Sequence, residues 1–415
     1  MMKHIYTSLD IGSSSIKIVV CELYQNKLNL LAASSFKSKG IKKGLITDVE
    51  LATESIKGAI KEVEDMLGIQ IKKVVTSVPS FNAEYQVIKG SLKINNPDNI
   101  VRNEDIIKVL EIAVKSNPSM LREMVTILPI DYSTDDKAFI KNPIGTACTT
   151  LGCRAVLVTT PKKNVYSVIG LLENIGIEVV DISLNSIGDL YSFNNKNFAD
   201  KVGAIVNIGE DITEVSLYNK SVLVKSSLIY MGGKNIDNDI SYVYKLDIPT
   251  ARMLKHKFAL SHKKYASVND IVEVKSVNDP HLKINQFEIS EVVMERINEI
   301  LNEAKKEINL LTSRKIDYII ITGGTSNMSG IEYNVKDVFG ENANIGNIKM
   351  LGIRDNRYSA CIGNIVYFIS KLKLKNKDYS MISDNEMYQI TSVTSKKLNT
   401  SDSMLGKIFG FFFSE

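Results

Sequence analysis

The chain has 415 residues, 44% hydrophobic and 24% charged, an ordinary balance for a folded protein long enough for two or more domains. Its 51 basic and 47 acidic residues leave a net charge of +4, too small an excess to argue for nucleic acid as a partner. Four cysteines without a CxxC pair and four scattered histidines point away from a metal cluster or a disulfide framework, and no signal-peptide pattern or spanning apolar run of ~20 residues is read.

Residues 5–11 and 15–23 read as paired strands around the turn "DIGSSS", 24–27 as a second turn and 28–35 as a third strand. The stretch 51–68 places Ala52, Ile56, Ile60, Val63 and Leu67 on one helical face, and Gly68 closes it. A strand follows at 71–79. Between it and a helical pattern at 161–177 lie about eighty residues, with a strand at 84–94, a helix at 103–116 and strands near 121–133 and 151–159. A strand at 178–184 comes next.

Residues 204–224, "AIVNIGEDITEVSLYNKSVLV", repeat the plan of 7–30: Asn207-Ile208-Gly209 stands where Asp10-Ile11-Gly12 stood, followed by a polar turn, a strand, a Tyr-containing turn and another strand. Two copies half a chain apart imply two related lobes, and ligands of two-lobed proteins commonly lie between them. A long amphipathic helix at 288–311 carries Ile289, Val293, Ile297, Ile300, Ala304 and Ile308 on one face. The strand in "DYIIITGGTSNMSG" runs into Gly323-Gly324, where a backbone can approach a flat ligand closely. From 376 to 401 the composition turns polar and reads as a flexible linker. The chain then ends in an apolar helical arc built from Met404, Leu405, Ile408, Phe409, Phe411, Phe412 and Phe413.

Two readings of the first turn stand. It is a plain hairpin, or Ser13, Ser14 and Ser15 offer amides and hydroxyls to a phosphate chain, Lys17 adds a cation and Asp10 holds the hydration shell of a magnesium ion. The repeat and the later glycine pair favour the second.

That order of motifs resembles the actin-like ATPase superfamily, with phosphate loops at 8–20 and 203–216, an adenine-site Gly-Gly at 320–330, and connecting helices at 183–193 and 359–368. The insert and the apolar terminal helix resemble, more narrowly, the FtsA family of bacterial cell-division proteins, across nearly the whole chain. The resemblance implies an α/β, two-lobed, duplicated ribonuclease-H-like fold with an inserted α+β subdomain. Subdomain 1A is expected at 1–81 and 161–193 with a closing helix at 359–375, 1C at 82–160, 2A at 194–232 and 313–358, and 2B at 233–312. A linker at 376–401 and a membrane-targeting helix at 402–415 complete the plan. It implies bound ATP and Mg²⁺, held by Asp10, Gly12, Ser13, Ser14, Ser15 and Lys17, by Asn207, Gly209, Glu210 and Asp211, and by Gly323 and Gly324, with Asp10 as the metal-side carboxylate.

Departures from the family pattern D-I-G-G-G-T-T-D qualify this. Asn207 replaces a carboxylate, Glu210 and Asp211 replace glycines and add negative charge, and Asn185 stands where relatives place a water-positioning Glu. An amide is no general base, so nucleotide binding with slow or absent hydrolysis is expected; a degenerate, empty site is the alternative. In "MERINEI", Arg296 and Glu299 share a helix face and either contact ribose or adenine or form an ordinary ion pair. Lys255, His256, Lys257, His262, Lys263 and Lys264 form either a solvated face or a landing site for an acidic peptide.

The resemblance further implies self-association into filaments, 1C contacts along the filament, and binding of the C-terminal peptide of the tubulin-like protein FtsZ through 2B. The terminal helix, through Leu405, Ile408, Phe409, Phe411, Phe412 and Phe413, reads as an interfacial anchor, which places the protein on the cytoplasmic face of the membrane at the division site. Docking of that helix on the protein's own core is its alternative. The rival readings of the whole chain are an FtsA-like pilus-assembly ATPase and a metabolite kinase of the same superfamily.

Overall fold

The computed structural model describes residues 3–115, 122–193, 196–383 and 386. Lobe I opens with β1 (His4–Ile11), β2 (Ser15–Tyr24) and β3 (Lys27–Lys37), followed by a two-residue-strand hairpin, β4 (Ile41–Lys42) and β5 (Leu45–Ile46). Helix α1 (Val49–Leu67) starts where the Asp48 carboxylate accepts the Leu51 amide, and stops at Gly68, whose φ of 71° is left-handed. Its apolar face is the one read from the spacing: Ala52, Ile56, Ile60, Val63 and Leu67 are all buried. Strand β6 (Lys73–Val78) then pairs with β1.

The insert follows: β7 (Glu84–Lys93), α2 (Asn103–Lys115), β8 (Arg122–Ser133) and β9 (Thr150–Pro161). Its sheet runs β7-β9-β8, all antiparallel, and encloses a core of its own around Ile88, Val109, Leu151 and Leu157. At Gly90 a Cβ would lie 2.5 Å from the Val109 carbonyl, so glycine lets α2 sit directly on the strand. Lobe I resumes with α3 (Lys162–Asn174), β10 (Glu178–Leu184) and α4 (Asn185–Phe193).

Lobe II comprises β11 (Val202–Ile208), β12 (Thr213–Asn219), β13 (Val222–Ile229), α5 (Gly233–Tyr244), α6 (Ile248–Lys257), the hairpin β14 (Ile271–Val274) and β15 (Leu282–Asn285), α7 (Gln286–Leu311), β16 (Tyr318–Thr322), α8 (Ile331–Phe339) and β17 (Ala343–Ile345). Helix α9 (Ser359–Leu374) returns to lobe I.

The duplication is explicit in the sheets. Lobe I runs β3-β2-β1-β6-β10 and lobe II runs β13-β12-β11-β16-β17. In each, three antiparallel strands continue into two parallel ones. The parallel strands need crossovers, and these carry the helices and, in lobe II, the α5–α7 subdomain.

Helices α4 and α9 cross with backbones in contact: a Cβ on Gly363 would lie 1.6 Å from the Gly188 carbonyl oxygen. Beside the crossing the buried Asn364 accepts from Ser183 Oγ at 2.9 Å and donates to Ser77 Oγ at 2.8 Å.

The polar stretch after α9 differs from expectation at its start. Residues 376–383 are not free linker: the Met381 amide bonds the Ile5 carbonyl at 2.9 Å, Met381 and Ile382 are buried, and Tyr379 meets Phe368 edge-on at 5.9 Å. The apolar residues 379, 381 and 382 outweigh the polar composition around them, which is why composition alone misplaces the boundary. The expected terminal helix, 402–415, lies outside the described residues. Among the described residues no helix is long and apolar enough to cross a membrane.

Candidate functional site

The two polar turns close with the same bond. The Gly12 amide reaches the Ser15 carbonyl at 3.2 Å, and the Gly209 amide reaches the Ile212 carbonyl at 3.0 Å. A Cβ on either glycine would lie 2.9 Å from that carbonyl, so no other residue fits these hairpins without displacing the loop. Gly323, at φ 91°, is a third such point, its Cβ position 2.4 Å from Asn207 Oδ1 and 2.6 Å from the Ile208 carbonyl.

These three turns face one interlobe cleft. Asp10, Gly12, Ser13, Ser14, Ser15 and Lys17 line it from lobe I; Asn207, Gly209, Glu210 and Asp211 from the second turn; Gly323 and Gly324 from the end of β16. Gly44, Pro79, Asn185, Glu214, His256, Thr325 and Arg357 are also on the lining.

Arg296 and Glu299 are not among them. Arg296 holds Asp239 through Nε at 2.5 Å and Nη2 at 3.0 Å and reaches Glu299 at 2.5 Å, in a separate depression shared with Tyr242 and Val243. The three-residue spacing does put both on one face of α7, as read. That face is turned to α5 on the outside of lobe II, so the pair is structural at this place and the expected adenosine contact is corrected.

Of the helices α5–α7, α6 reaches the cleft, through His256. The basic run read as a solvated or partner-binding face is thereby divided. Lys255 is 3% exposed, 2.6 Å from Asp237 Oδ1, and donates to the Gly233 carbonyl at 2.9 Å. Arg252 bridges Asp237, at 2.8 Å, to Glu210. Two acids and two bases make this cluster neutral. The charge expected from Glu210 is therefore matched at once, although burial still holds its carboxyl above the usual range. Desolvation by the surrounding protein, with the Lys255 charge beside it, pushes His256 below the ordinary imidazole value even though the residue is exposed at the surface.

At the floor, Lys17 pairs with Asp10 at 2.7 Å directly across the β1–β2 hairpin. The equivalent cross-strand pair in lobe II is Asn207 and Glu214. Asn207 donates to Asp189 Oδ2 at 2.7 Å, and Ser359 Oγ donates to Asp189 Oδ1 at 2.5 Å. Burial raises Asp189 to about 6 and Glu214 to about 7. Glu214 Oε1 and Asn185 Oδ1, both on the cleft lining, are buried without a hydrogen-bond partner among the described residues.

Glu214 and Asp189 escaped sequence reasoning. For Glu214 the signal was present: it stands seven residues after Asn207, as Lys17 stands seven after Asp10. For Asp189, buried in a short helix, no local signal distinguishes it. The arrangement presents amides, hydroxyls and one ammonium to an anionic chain; among the described residues no group of three or more His, Cys, Asp and Glu side chains could by itself hold a metal ion.

The family model described as "Cell division protein FtsA" matches residues 204–363, and that of the "SHS2 domain inserted in FTSA" matches 82–159. Cell division protein FtsA of Enterococcus hirae is 26% identical over 365 residues, 87% of this chain and 82% of the relative. FtsA of Staphylococcus epidermidis is 28% identical over 405 residues, 96% of this chain and 86% of the relative. Among solved structures, the PilM–PilN type IV pilus biogenesis complex matches 87% of this chain and 98% of its own, with a TM-score of 0.58 at 14% identity. MreB5 of Spiroplasma citri bound to ADP covers 90% of this chain and 99% of its own, with a TM-score of 0.54 at 14% identity. The structural likenesses place the fold among the actin-like proteins. With both family models covering the duplicated lobe and the insert, this chain belongs to the FtsA family of cell-division proteins.

Proposed function

We propose that this protein is an ATP-binding, filament-forming scaffold that tethers FtsZ to the cytoplasmic membrane at the bacterial division site. The observation that carries the nucleotide half is the convergence of the serine-bearing first turn, the Gly209 turn and Gly323-Gly324 on one cleft. Their glycines leave room where a Cβ would stand, and Asn185 and Glu214 on the same lining each carry a buried oxygen without a hydrogen-bond partner among the described residues. The binding of ADP and AMPPNP by MreB5 of the same fold agrees with this reading.

The phosphate chain lies against Ser13, Ser14, Ser15 and Lys17 on one side and the Gly209 turn on the other, with Gly323 and Gly324 behind the base. Asp10 is the carboxylate for Mg²⁺, which supplies charge neutralisation at the phosphates. Asn207 is tied to Asp189 and offers no carboxylate, and Asn185 is no base, so turnover is slow or absent and the nucleotide serves assembly. The α5–α7 subdomain takes the FtsZ C-terminal peptide, and Leu405, Ile408, Phe409, Phe411, Phe412 and Phe413 seat the terminal helix in the bilayer interface.

Two measurements test the proposal. The full chain is titrated with a fluorescent ATP analogue and Mg²⁺, where saturable binding is expected and none at millimolar analogue refutes the nucleotide half. Liposome flotation compares the intact chain with one ending at Ser401; only the intact chain is expected to float, and equal flotation removes the anchor.

A further inference from the structure

The hairpin β4–β5 is too short to be a sheet, yet it is held firmly at its base and reaches both phosphate loops at its tip. At the base, Ile41 is 5% exposed in the core of lobe I, and Thr47 and Asp48 both donate to the Gly40 carbonyl, at 2.8 and 3.0 Å. The tip is Lys43-Gly44, with φ of 52° and 72°, the backbone of a two-residue turn that follows the strand twist.

From this tip three contacts leave in two directions. The Gly44 amide donates to Ser13 Oγ, in the first phosphate loop, at 2.9 Å. The Lys43 amide donates to Asp211 Oδ2, in the second phosphate loop of the other lobe, at 3.0 Å. The Lys43 ammonium lies 4.3 Å from the centre of the Tyr230 ring, just past the end of β13 in lobe II. The other oxygen of Asp211 faces Lys234 Nζ of α5 at 3.7 Å, so this one carboxylate ties the tip to the α5 start. Lys43 is exposed while Gly44 and Asp211 line the cleft, which sets the crossing at the cleft rim.

We infer that the Lys43-Gly44 tip is a latch: it clasps lobe I to lobe II over the phosphate loops and sets the rate at which a phosphate-bearing ligand enters and leaves the cleft. The inference rests on the nucleotide reading above for its ligand, and on geometry alone for the clasp. Ser13 gives the device its sensitivity. Its hydroxyl oxygen accepts from Gly44 here, while the same hydroxyl has a proton to offer a phosphate oxygen, so a bound phosphate and the hairpin tip meet on one side chain. Tyr230 and Lys43 share a rim depression with Asp211 but are not themselves among the residues that line the cleft, so the clasp can be weakened without removing a lining side chain.

The test uses the full chain and its Tyr230→Ala variant; Tyr230 is 54% exposed, so its removal leaves the fold in place. Hydrogen exchange of residues 41–46 is measured without nucleotide, and stopped-flow release of a fluorescent ATP analogue with Mg²⁺. Loss of one exposed cation–π contact is expected to speed both by about two- to fivefold. Lys43→Arg, which keeps a cation over the ring, is expected to keep both rates near wild type. Unchanged exchange in Tyr230→Ala, or faster exchange with unchanged release, overturns the latch. Failure of the wild type to bind the analogue refutes the nucleotide reading instead, and the exchange result still decides whether the tip is clasped.

Discussion

Replacing Gly363 by alanine is expected to be among the costliest single-methyl additions in the chain. The new Cβ would lie 1.6 Å from the Gly188 carbonyl oxygen, 2.5 Å from its carbon and 2.9 Å from the Ser192 amide nitrogen. All three are backbone atoms of α4, so no side chain can swing aside. To bring that first contact out to 3.0 Å, α4 and α9 must part by about 1.4 Å, a gap at which dispersion contacts lose more than half their depth. The same movement stretches the bonds of buried Asn364 to Ser183 and Ser77. Overpacking contributes ~1–3 kcal/mol and each strained buried bond ~1 kcal/mol or more, so a loss of about 3–5 kcal/mol is expected. Equilibrium denaturation measures it, with Gly170→Ala as the control. Gly170 lies inside α3 with nothing within 4 Å of its Cβ position, so alanine there should stabilise by about 0.5–1 kcal/mol. Gly363→Ala within ~0.5 kcal/mol of wild type would refute the backbone-contact crossing.

Three further outcomes follow from the site. Because burial lifts Asp189 from 3.8 to about 6, the folded protein keeps a proton that the unfolded chain has lost, and stability falls as pH rises from about 4 to about 6. Asp189→Asn should remove on the order of 3 kcal/mol of that fall, leaving the part due to Glu214, which extends to about pH 7; an unchanged pH profile of the denaturation midpoint refutes the assignment. Lys255→Met strands the buried Asp237 with Arg252 alone and should cost ~3 kcal/mol or more, whereas Lys257→Ala on the exposed side of the same run should stay within ~0.5 kcal/mol; equal effects would show the run to be one solvated face. Lys17→Met should abolish binding of the fluorescent ATP analogue, while Arg296→Ala should leave its affinity unchanged; a tenfold loss with Arg296→Ala would restore the adenosine role to α7.

What was legible in the sequence followed from periodicity and repetition. The strand-like runs in 5–11 and 15–23, the apolar faces of α1 and α7, and the copy of the first hairpin at 204–224 each reflect constraints local enough to show in a window of ten to twenty residues. Twelve of the residues expected from those motifs line one cleft, because strand ends and tight turns fix where their backbones point. The errors share a different cause. Arg296 and Lys255 sit on amphipathic helices, where spacing tells which residues share a face and not which neighbour that face meets. Three-dimensional packing turned α7's charged face outward to Asp239 and drew Lys255 inward to Asp237. Residues 376–383 failed for a related reason: three apolar side chains suffice to dock a segment that composition marks as linker.

The substitutions in the second turn then acquire a joint explanation. Where the family pattern has two glycines this chain has Glu210 and Asp211, and two new carboxylates beside a phosphate site ought to repel the ligand. Each, however, is engaged. Glu210 is bound by Arg252, whose other arm holds Asp237, and the Glu210 carbonyl takes the Lys234 amide at 2.9 Å, at the start of α5. Asp211 accepts the Lys43 amide from the opposite lobe and faces Lys234. Both side chains, while on the cleft lining, are thus engaged by partners that glycine could not have reached. The exchange replaces a loop shaped by backbone freedom with one pinned by ion pairs to α6 and α5 and by a hydrogen bond from the lobe I hairpin. The contacts that pin the second turn therefore come from α5, α6 and the lobe I hairpin, all outside the repeated turn itself.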